Sequence, residues 1–136
     1  MQTRRILLIA ACTALLAGCA HTSAVVGQFS GTKDEFMGEA SAAMWGEGTL
    51  HIQTQAGVTC EGTLVRPRSL ESGNGKMHCS DGRTGTFVFT KSNTYGGTGF
   101  GSMSDGERFR FNWGNDVRRA NSQCEKSGST VSCTQY

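Results

Sequence analysis

The 136 residues carry 13 Lys and Arg against 11 Asp and Glu, so the charge is nearly balanced and no extended basic block is present. Two Trp and two Tyr are too few for a platform that stacks bases, and we therefore expect no nucleic-acid partner. Glycine occurs 19 times and proline once, which predicts turns that depend on glycine.

Residues 1–18 are organised as an export signal. Arg4 and Arg5 precede an apolar run over residues 6–16, which is shorter than the about 20 residues that a membrane-spanning helix needs. The run ends in Leu16-Ala17-Gly18-Cys19, which resembles the lipobox of bacterial lipoproteins. The resemblance implies that a peptidase cuts before Cys19 and that Cys19 then carries diacylglycerol and further acyl chains such as palmitate.

The expected acylation predicts where the protein is held. Several acyl chains on one residue anchor a protein stably, whereas a single chain is marginal. Ala20 follows Cys19, and lipoproteins that stay in the inner membrane commonly carry Asp at that position. The resemblance therefore implies a lipid anchor in the outer membrane, on its periplasmic side. An ordinary signal peptide cut nearby, which would leave Cys19 as a free thiol, stays open as an alternative.

The rest of the chain divides into two parts. Residues 19–33 are small and polar, so we interpret them as the lipid anchor and a flexible tether. Residues 34–136 then form one small β-rich domain. A domain of this size buries a modest core, and disulfides are common staples in such cases.

Four cysteines remain after removal of the signal and acylation of Cys19: Cys60, Cys79, Cys124 and Cys133. An even number in an exported chain predicts two disulfides, for which three connectivities can be drawn. We favour Cys60 with Cys79 and Cys124 with Cys133, because each pair is close in sequence. The alternative is a metal site built from His51, Cys60, His78 and Cys79. No CxxC or HxxxH spacing supports it, so we expect neither a metal nor a cofactor.

A motif recurs along the domain. Gly73-x-Gly75 is followed after five residues by Asp81-Gly82, and Gly97-x-Gly99 is followed after five residues by Asp105-Gly106. A longer copy runs from Gly46-x-Gly48 to Ala56-Gly57, so the turn glycines 57, 82 and 106 are 25 and 24 residues apart. A constant period with glycine turns predicts about three similar hairpins, each with a two-residue turn.

The residues that flank these turns alternate between apolar and polar. Phe109, Phe111 and Trp113 fall on one face of their strand, and Arg108, Arg110 and Asn112 fall on the other. Phe87 and Phe89 alternate in the same way. The pattern predicts an all-β fold, a small Gly-rich antiparallel meander with one buried face, stapled by disulfides.

The repeated motif resembles the MORN repeat family. The third copy matches position by position, through Gly97, Gly99, Asp105, Gly106, Phe109 and Trp113, and the second copy matches more loosely, through Gly73, Gly75, Asp81, Gly82 and Phe89. Phe87 and Phe111 depart from the pattern, because the family has a glycine there. Most members of the family are scaffolds that contact proteins or membranes, so the resemblance implies a non-enzymatic function.

The chain carries no recognisable catalytic motif. A nucleophile elbow, a P-loop and a zinc-protease helix are all absent from the sequence, and only His51 and His78 lie outside the expected tether. We therefore expect a non-enzymatic module that binds or supports other envelope proteins. The alternative is an inhibitor or immunity lipoprotein that binds a foreign protein such as a lysozyme or a toxin.

Two pairs of arginines are candidates for the binding face. Arg108 and Arg110 occupy the polar side of their strand, and Arg66 and Arg68 flank the single proline. Arginine is enriched among the residues that carry interface energy. We therefore expect a protein partner to be bound by one of these pairs.

Overall fold

The structure is a computed structural model, which describes residues 21–42, 46–67, 71–117, 124–127 and 130–133. The expected signal peptide, Cys19 and Arg68 lie outside these ranges. No helix within the described ranges is long and apolar enough to cross a membrane.

Eight antiparallel strands form a closed barrel in which each strand pairs with the next and β8 pairs back to β1. The strands are β1 His21–Phe29, β2 Glu35–Ala42, β3 Gly46–Thr54, β4 Thr59–Arg66, β5 Ser72–Cys79, β6 Thr84–Asn93, β7 Gly96–Met103 and β8 Arg108–Gly114. A separate two-stranded sheet pairs β9 Cys124–Ser127 with β10 Thr130–Cys133.

The barrel interior is the hydrophobic core. Alternate residues of every strand point inward, as the pleat of a strand dictates, and the buried set is Val25, Phe29, Phe36, Leu50, Ile52, Cys60, Leu64, Met77, Cys79, Phe87, Phe89, Met103, Phe109 and Phe111. The predicted all-β antiparallel meander is thus confirmed, together with the predicted inward face of β8. The meander has four hairpins rather than about three, and it closes on itself.

Aromatic rings and glycines are paired across neighbouring strands inside the barrel. Five inward-facing rings each lie over the glycine opposite, in the pairs Phe36 with Gly27, Phe87 with Gly75, Phe89 with Gly73, Phe109 with Gly101 and Phe111 with Gly99. A glycine leaves the space that a ring on the next strand occupies, and it permits the sharp bend of a small barrel. The recurring Gly-x-Gly motif therefore belongs to the packing of the core.

Residues 21–29 correct the expectation of a flexible tether over 19–33. They form β1, which lies between β2 and β8. Val25 and Phe29 are 2% and 1% exposed, so this strand contributes large side chains to the core. The tether interpretation is wrong for these residues. Burial of Val25 and Phe29 and hydrogen bonding to strands on both sides stabilise the strand, although most of its other residues are small or polar.

Four turns lie together at one end of the barrel, which we call the turn end. In the three turns that the repeat predicted, the residues before and after a three-residue loop share a hydrogen bond, such as Thr54 N to Val58 O at 2.9 Å. Gly57, Gly82 and Gly106 each adopt a φ of 88°. This is the geometry of a type I turn followed by a left-handed residue. The predicted turn positions are correct, but the predicted two-residue loops are wrong.

The predicted disulfide between Cys60 and Cys79 is present. The two residues are register partners on β4 and β5, and both lie inside the barrel. The bond engages the two thiols that the alternative metal site requires. Cys124 and Cys133 are register partners on β9 and β10, which is the backbone arrangement that the second bridge needs, and that bridge stays a prediction.

Candidate functional site

Strands β4 to β8 together form a concave region on the outside of the barrel, which we call the outer groove. Its volume is about 810 Å³. Nine outward-facing residues line it: Thr63, Val65, Asn74, Lys76, Thr86, Val88, Phe100, Ser102 and Arg108. The register places these residues in two parallel rows that cross the strands.

The first row is mainly apolar. Val65 is opposite Asn74, which is opposite Val88, which is opposite Phe100. Val65 and Val88 are each 41% exposed and Phe100 is 67% exposed. Cross-strand neighbours are in contact, so Val88 and Phe100 form a continuous apolar patch, and Val65 lies beyond Asn74 in the same row. We call these three apolar side chains the apolar strip.

The second row is polar and cationic. It runs through Thr63, Lys76, Thr86, Ser102 and Arg108. Lys76 and Arg108 are the ionisable residues among those that line the groove, and both are cations. In the described part of the chain neither forms a salt bridge. The groove therefore combines an apolar strip with two cations that are free to meet an anion.

The structure places one predicted pair of arginines, Arg108 and Arg110, at the groove, and it places Arg66 of the other pair away from the groove. Arg108 lines the outer groove, and the exposed Arg110 is the register partner of Phe100 at the end of the apolar strip. Arg66 is the last residue of β4 and pairs with Gly46 at the end of the barrel opposite the turns. It does not line the groove. Arg68 lies outside the described residues.

A second polar cluster joins three of the four turns. Arg83 Nε lies 2.8 Å from Asp81 Oδ2, and Arg83 Nη1 lies 2.9 Å from Glu107 Oε2 and 3.2 Å from Asp105 Oδ2. The guanidinium carbon is 5.4 Å from the ring centre of Phe29. This arrangement caps the core at the turn end, where Arg83 is 24% and Glu107 is 10% exposed.

The electrostatics of this cluster favour the ionised carboxylates. Glu107 Oε1 accepts hydrogen bonds from Thr32 N at 2.8 Å and Thr32 Oγ1 at 2.9 Å. The bond from the Thr32 backbone, with that from the Thr32 hydroxyl and the charge of Arg83, holds the pKa of Glu107 below its ordinary value. The backbone N–H of Arg83 likewise lowers the pKa of Asp81. The cluster is satisfied internally, so we assign it to stability.

The two histidines of the alternative metal site lie on the outside of the barrel. The register forms an exposed row of Glu39, His51, Glu61 and His78 across β2 to β5. The closest approach in this row is 3.8 Å between His51 Nδ1 and Glu61 Oε1. Among the described residues, no group of three or more His, Cys, Asp or Glu side chains has an arrangement that could hold a metal ion.

Sequence comparison gives no relative for this chain, since neither a protein-family model nor a curated protein matches it. The fold has counterparts among solved structures. A redesigned β-barrel bound to DFHBI has a TM-score of 0.57 and 11% identity, over 68% of this chain and 91% of that chain. A de novo designed fluorescence-activating β-barrel has a TM-score of 0.52 and 18% identity, over 68% of this chain and 89% of that chain. At these identities the likeness shows the fold alone.

Proposed function

We propose that this protein is a periplasmic lipoprotein, anchored in the outer membrane through Cys19, that acts without catalysis as a binding or structural module of the envelope. The anchor is supported by the lipobox-like sequence at residues 16–19. The binding role is supported by the contrast between a filled barrel interior and an exposed apolar strip outside it.

The filled interior directs binding to the outer surface. An eight-stranded barrel can be filled by its own side chains or can hold one small ligand. Here the cavity among the core residues is about 10 Å³, which is room for about one water molecule and too small for a larger ligand. The rings that lie over glycines account for this close filling.

The observation that carries the proposal is the exposure of Phe100 in the outer groove. This ring is 67% exposed and has Val88 and Arg110 as its cross-strand neighbours. Neighbouring exposed apolar side chains with a polar rim are a feature of interaction sites, and aromatic residues and arginine are enriched where interfaces hold most of their energy. The groove thus has the composition of a protein-binding surface.

Site-specific photocrosslinking in living cells tests this proposal. A benzophenone amino acid is placed at position 100, and a second variant carries it at position 37 as the matched control. Met37 is 65% exposed and lies on β2, outside the groove. We expect one envelope protein to crosslink at position 100 and not at position 37. Equal crosslinking at both positions, or none at position 100, would contradict the proposal.

The same experiment decides between envelope and foreign partners. A purified lysozyme is added to permeabilised cells that carry the variant at position 100. If lysozyme crosslinks at position 100 and no endogenous protein does, the result would support the alternative inhibitor function and contradict the structural function.

A further inference from the structure

We infer that the outer groove receives an acidic amphipathic helix of the partner protein, and this inference rests on the proposed function. It adds the chemistry and the shape of the partner segment. Four features of the groove lead to it: its charge, its two-row layout, the closure of the barrel and its concavity.

Charge complementarity selects an acidic segment. Lys76 and Arg108 line the groove, and no acidic residue is among those that line it. At the ends of the apolar row, Arg110 adjoins the groove beside Phe100 and Glu47 adjoins it beside Val65, so the positive charge is concentrated toward β8. Complementary charges at the edge of an interface speed association and reject partners of like charge. A segment that carries carboxylates therefore suits this surface.

The two rows set the pattern of that segment. Phe100 and Ser102 are two residues apart on β7, as are Asn74 and Lys76 on β5, which separates the rows by roughly 7 Å. A segment that lies across the strands, parallel to the two rows, contacts the apolar strip along one side and the cations along its other side. This requires apolar and acidic side chains on adjacent stripes of one face, which is the layout of an amphipathic helix.

The closure of the barrel disfavours an extended segment. Each of the eight strands is paired on both edges, so no edge is free to add a partner strand, the usual mode by which sheets bind extended peptides. An extended segment on this face would find no free backbone groups on the sheet to pair with, whereas a helix bonds its own N–H and C=O groups. The groove spans five strands, or roughly 19 Å, which corresponds to a helix of about 13 residues.

The concavity disfavours a membrane as the occupant. A groove of about 810 Å³ is matched in shape more closely by a convex segment than by a flat bilayer surface. A helix, with a diameter of about 10–12 Å, is such a convex segment. We therefore commit to a protein helix, and an anionic lipid becomes an outcome of the test.

A display selection with the purified full chain in detergent tests the inference. The library is a stable helical hairpin with one randomised outer face, and it is depleted first on a Phe100→Ser variant. We expect enriched faces to carry Glu or Asp beside Leu or Phe. Enriched faces that are basic or uncharged, or no enrichment, would overturn the inference.

A charge swap gives a second and sharper measurement. Binding of the best acidic hairpin should weaken about tenfold or more in Lys76→Glu/Arg108→Glu, and a hairpin with its acidic residues replaced by Lys should regain affinity for that variant. The control Lys33→Glu/Lys91→Glu changes two cations outside the groove and should bind the acidic hairpin as the unchanged protein does. Thermal melts of each variant establish that it is folded.

Two outcomes separate this inference from the proposed function. Groove-dependent selection of acidic hairpins without any crosslinked partner in cells would support the helix site and contradict the envelope role. A crosslinked partner at position 100 without selection of acidic helices would support the envelope role and contradict the helix site. Binding of soluble dihexanoylphosphatidylglycerol at the groove, with no helix selected, would assign the groove to lipid and overturn the inference.

Discussion

Arg83 and Glu107 occupy equivalent positions in two copies of the repeat, and their side chains meet, with 2.9 Å between Arg83 Nη1 and Glu107 Oε2. Each residue directly follows an Asp-Gly pair. One copy therefore supplies the cation and the next supplies the anion. Thr32 also binds Glu107, so the pair fastens three turns to each other at the turn end.

Loss of this carboxylate should weaken the fold in a pH-dependent way. The pKa of Glu107 is lowered in the folded state, so the ionised group contributes stability above its unfolded pKa of about 4.5, and this contribution is lost as the pH falls through the lower folded value. We expect Glu107→Gln to lose about 1–3 kcal/mol at pH 7, and the gap to narrow toward pH 3. Urea unfolding over this pH range measures it.

The exposed Glu71 provides the matched control for this measurement. Glu71→Gln should follow the pH profile of the unchanged protein. A gap between Glu107→Gln and the unchanged protein that is constant from pH 7 to pH 3 would show that charge at Glu107 does not contribute.

The disulfide inside the barrel should contribute a large part of the stability. Cys60 and Cys79 are 19 residues apart and 0% and 6% exposed. We expect Cys60→Ala/Cys79→Ala to lose about 3 kcal/mol, because the bond restricts the unfolded chain. Unfolding in urea measures the loss, and peptide mapping without reductant should recover the two cysteines as one crosslinked pair. Free thiols at both positions would contradict the prediction.

Two glycine substitutions should separate packing from backbone conformation. At Gly101 an added methyl group would overlap the carbonyl oxygen of Thr86 and the ring of Phe109, so we expect Gly101→Ala to cost about 3 kcal/mol or more. At Gly106 the space is open but φ is 88°, so Gly106→Ala should cost about 1 kcal/mol. Thermal unfolding of both variants measures the difference, and equal losses would contradict the assigned role of the ring and glycine pairs.

The sequence predicted the elements that depend on local pattern. Gly57, Gly82 and Gly106 marked three turns because a left-handed residue is needed there, and the alternation around Phe109 and Phe111 gave the inward face of β8. Barrel closure was missed because it depends on pairing between β1 and β8, residues far apart in the chain. Val25 and Phe29 were not predicted to lie in a strand, because the residues around them are small and polar.

The outer groove was only partly predictable. Arg108 and Arg110 were identified because they stood out on the polar face of β8. Val88 and Phe100 occupy outward positions on two other strands. The sequence signal for them was an apolar residue at a position where strand alternation predicts a polar one. Their union into one strip with Val65 follows from the register of four neighbouring strands, which no local pattern specifies.

Cys19→Ser should move the protein from the membrane fraction to the soluble periplasm. The reason is that the proposed acyl chains, and not the barrel, hold it in place. Fractionation after spheroplasting measures this change, and palmitate labelling should disappear in the same variant. Retention of Cys19→Ser in the membrane fraction would contradict the lipid anchor.

The two faces of β8 should respond differently to substitution. Phe109 and Phe111 are buried, so Phe109→Ala should cost about 3–5 kcal/mol and unfold much of the protein. Arg108 and Arg110 are exposed, so Arg108→Ala/Arg110→Ala should change stability by less than about 0.5 kcal/mol while weakening partner capture. Thermal melts and photocrosslinking at position 100 measure the two effects, and undiminished capture would move the binding face elsewhere.

If Cys19 carries the proposed lipid anchor, the position of β1 limits how far the protein can act from the membrane. The strand begins at His21, two residues after Cys19, so an acylated Cys19 would leave at most about 7 Å of chain between lipid and barrel. Strands of about eight residues are roughly 27 Å long, so the barrel would extend roughly 35 Å from the bilayer at most. Under the proposed anchoring, the dimensions of the barrel would set its reach, and a partner would have to present its helix within this thin layer beneath the outer membrane.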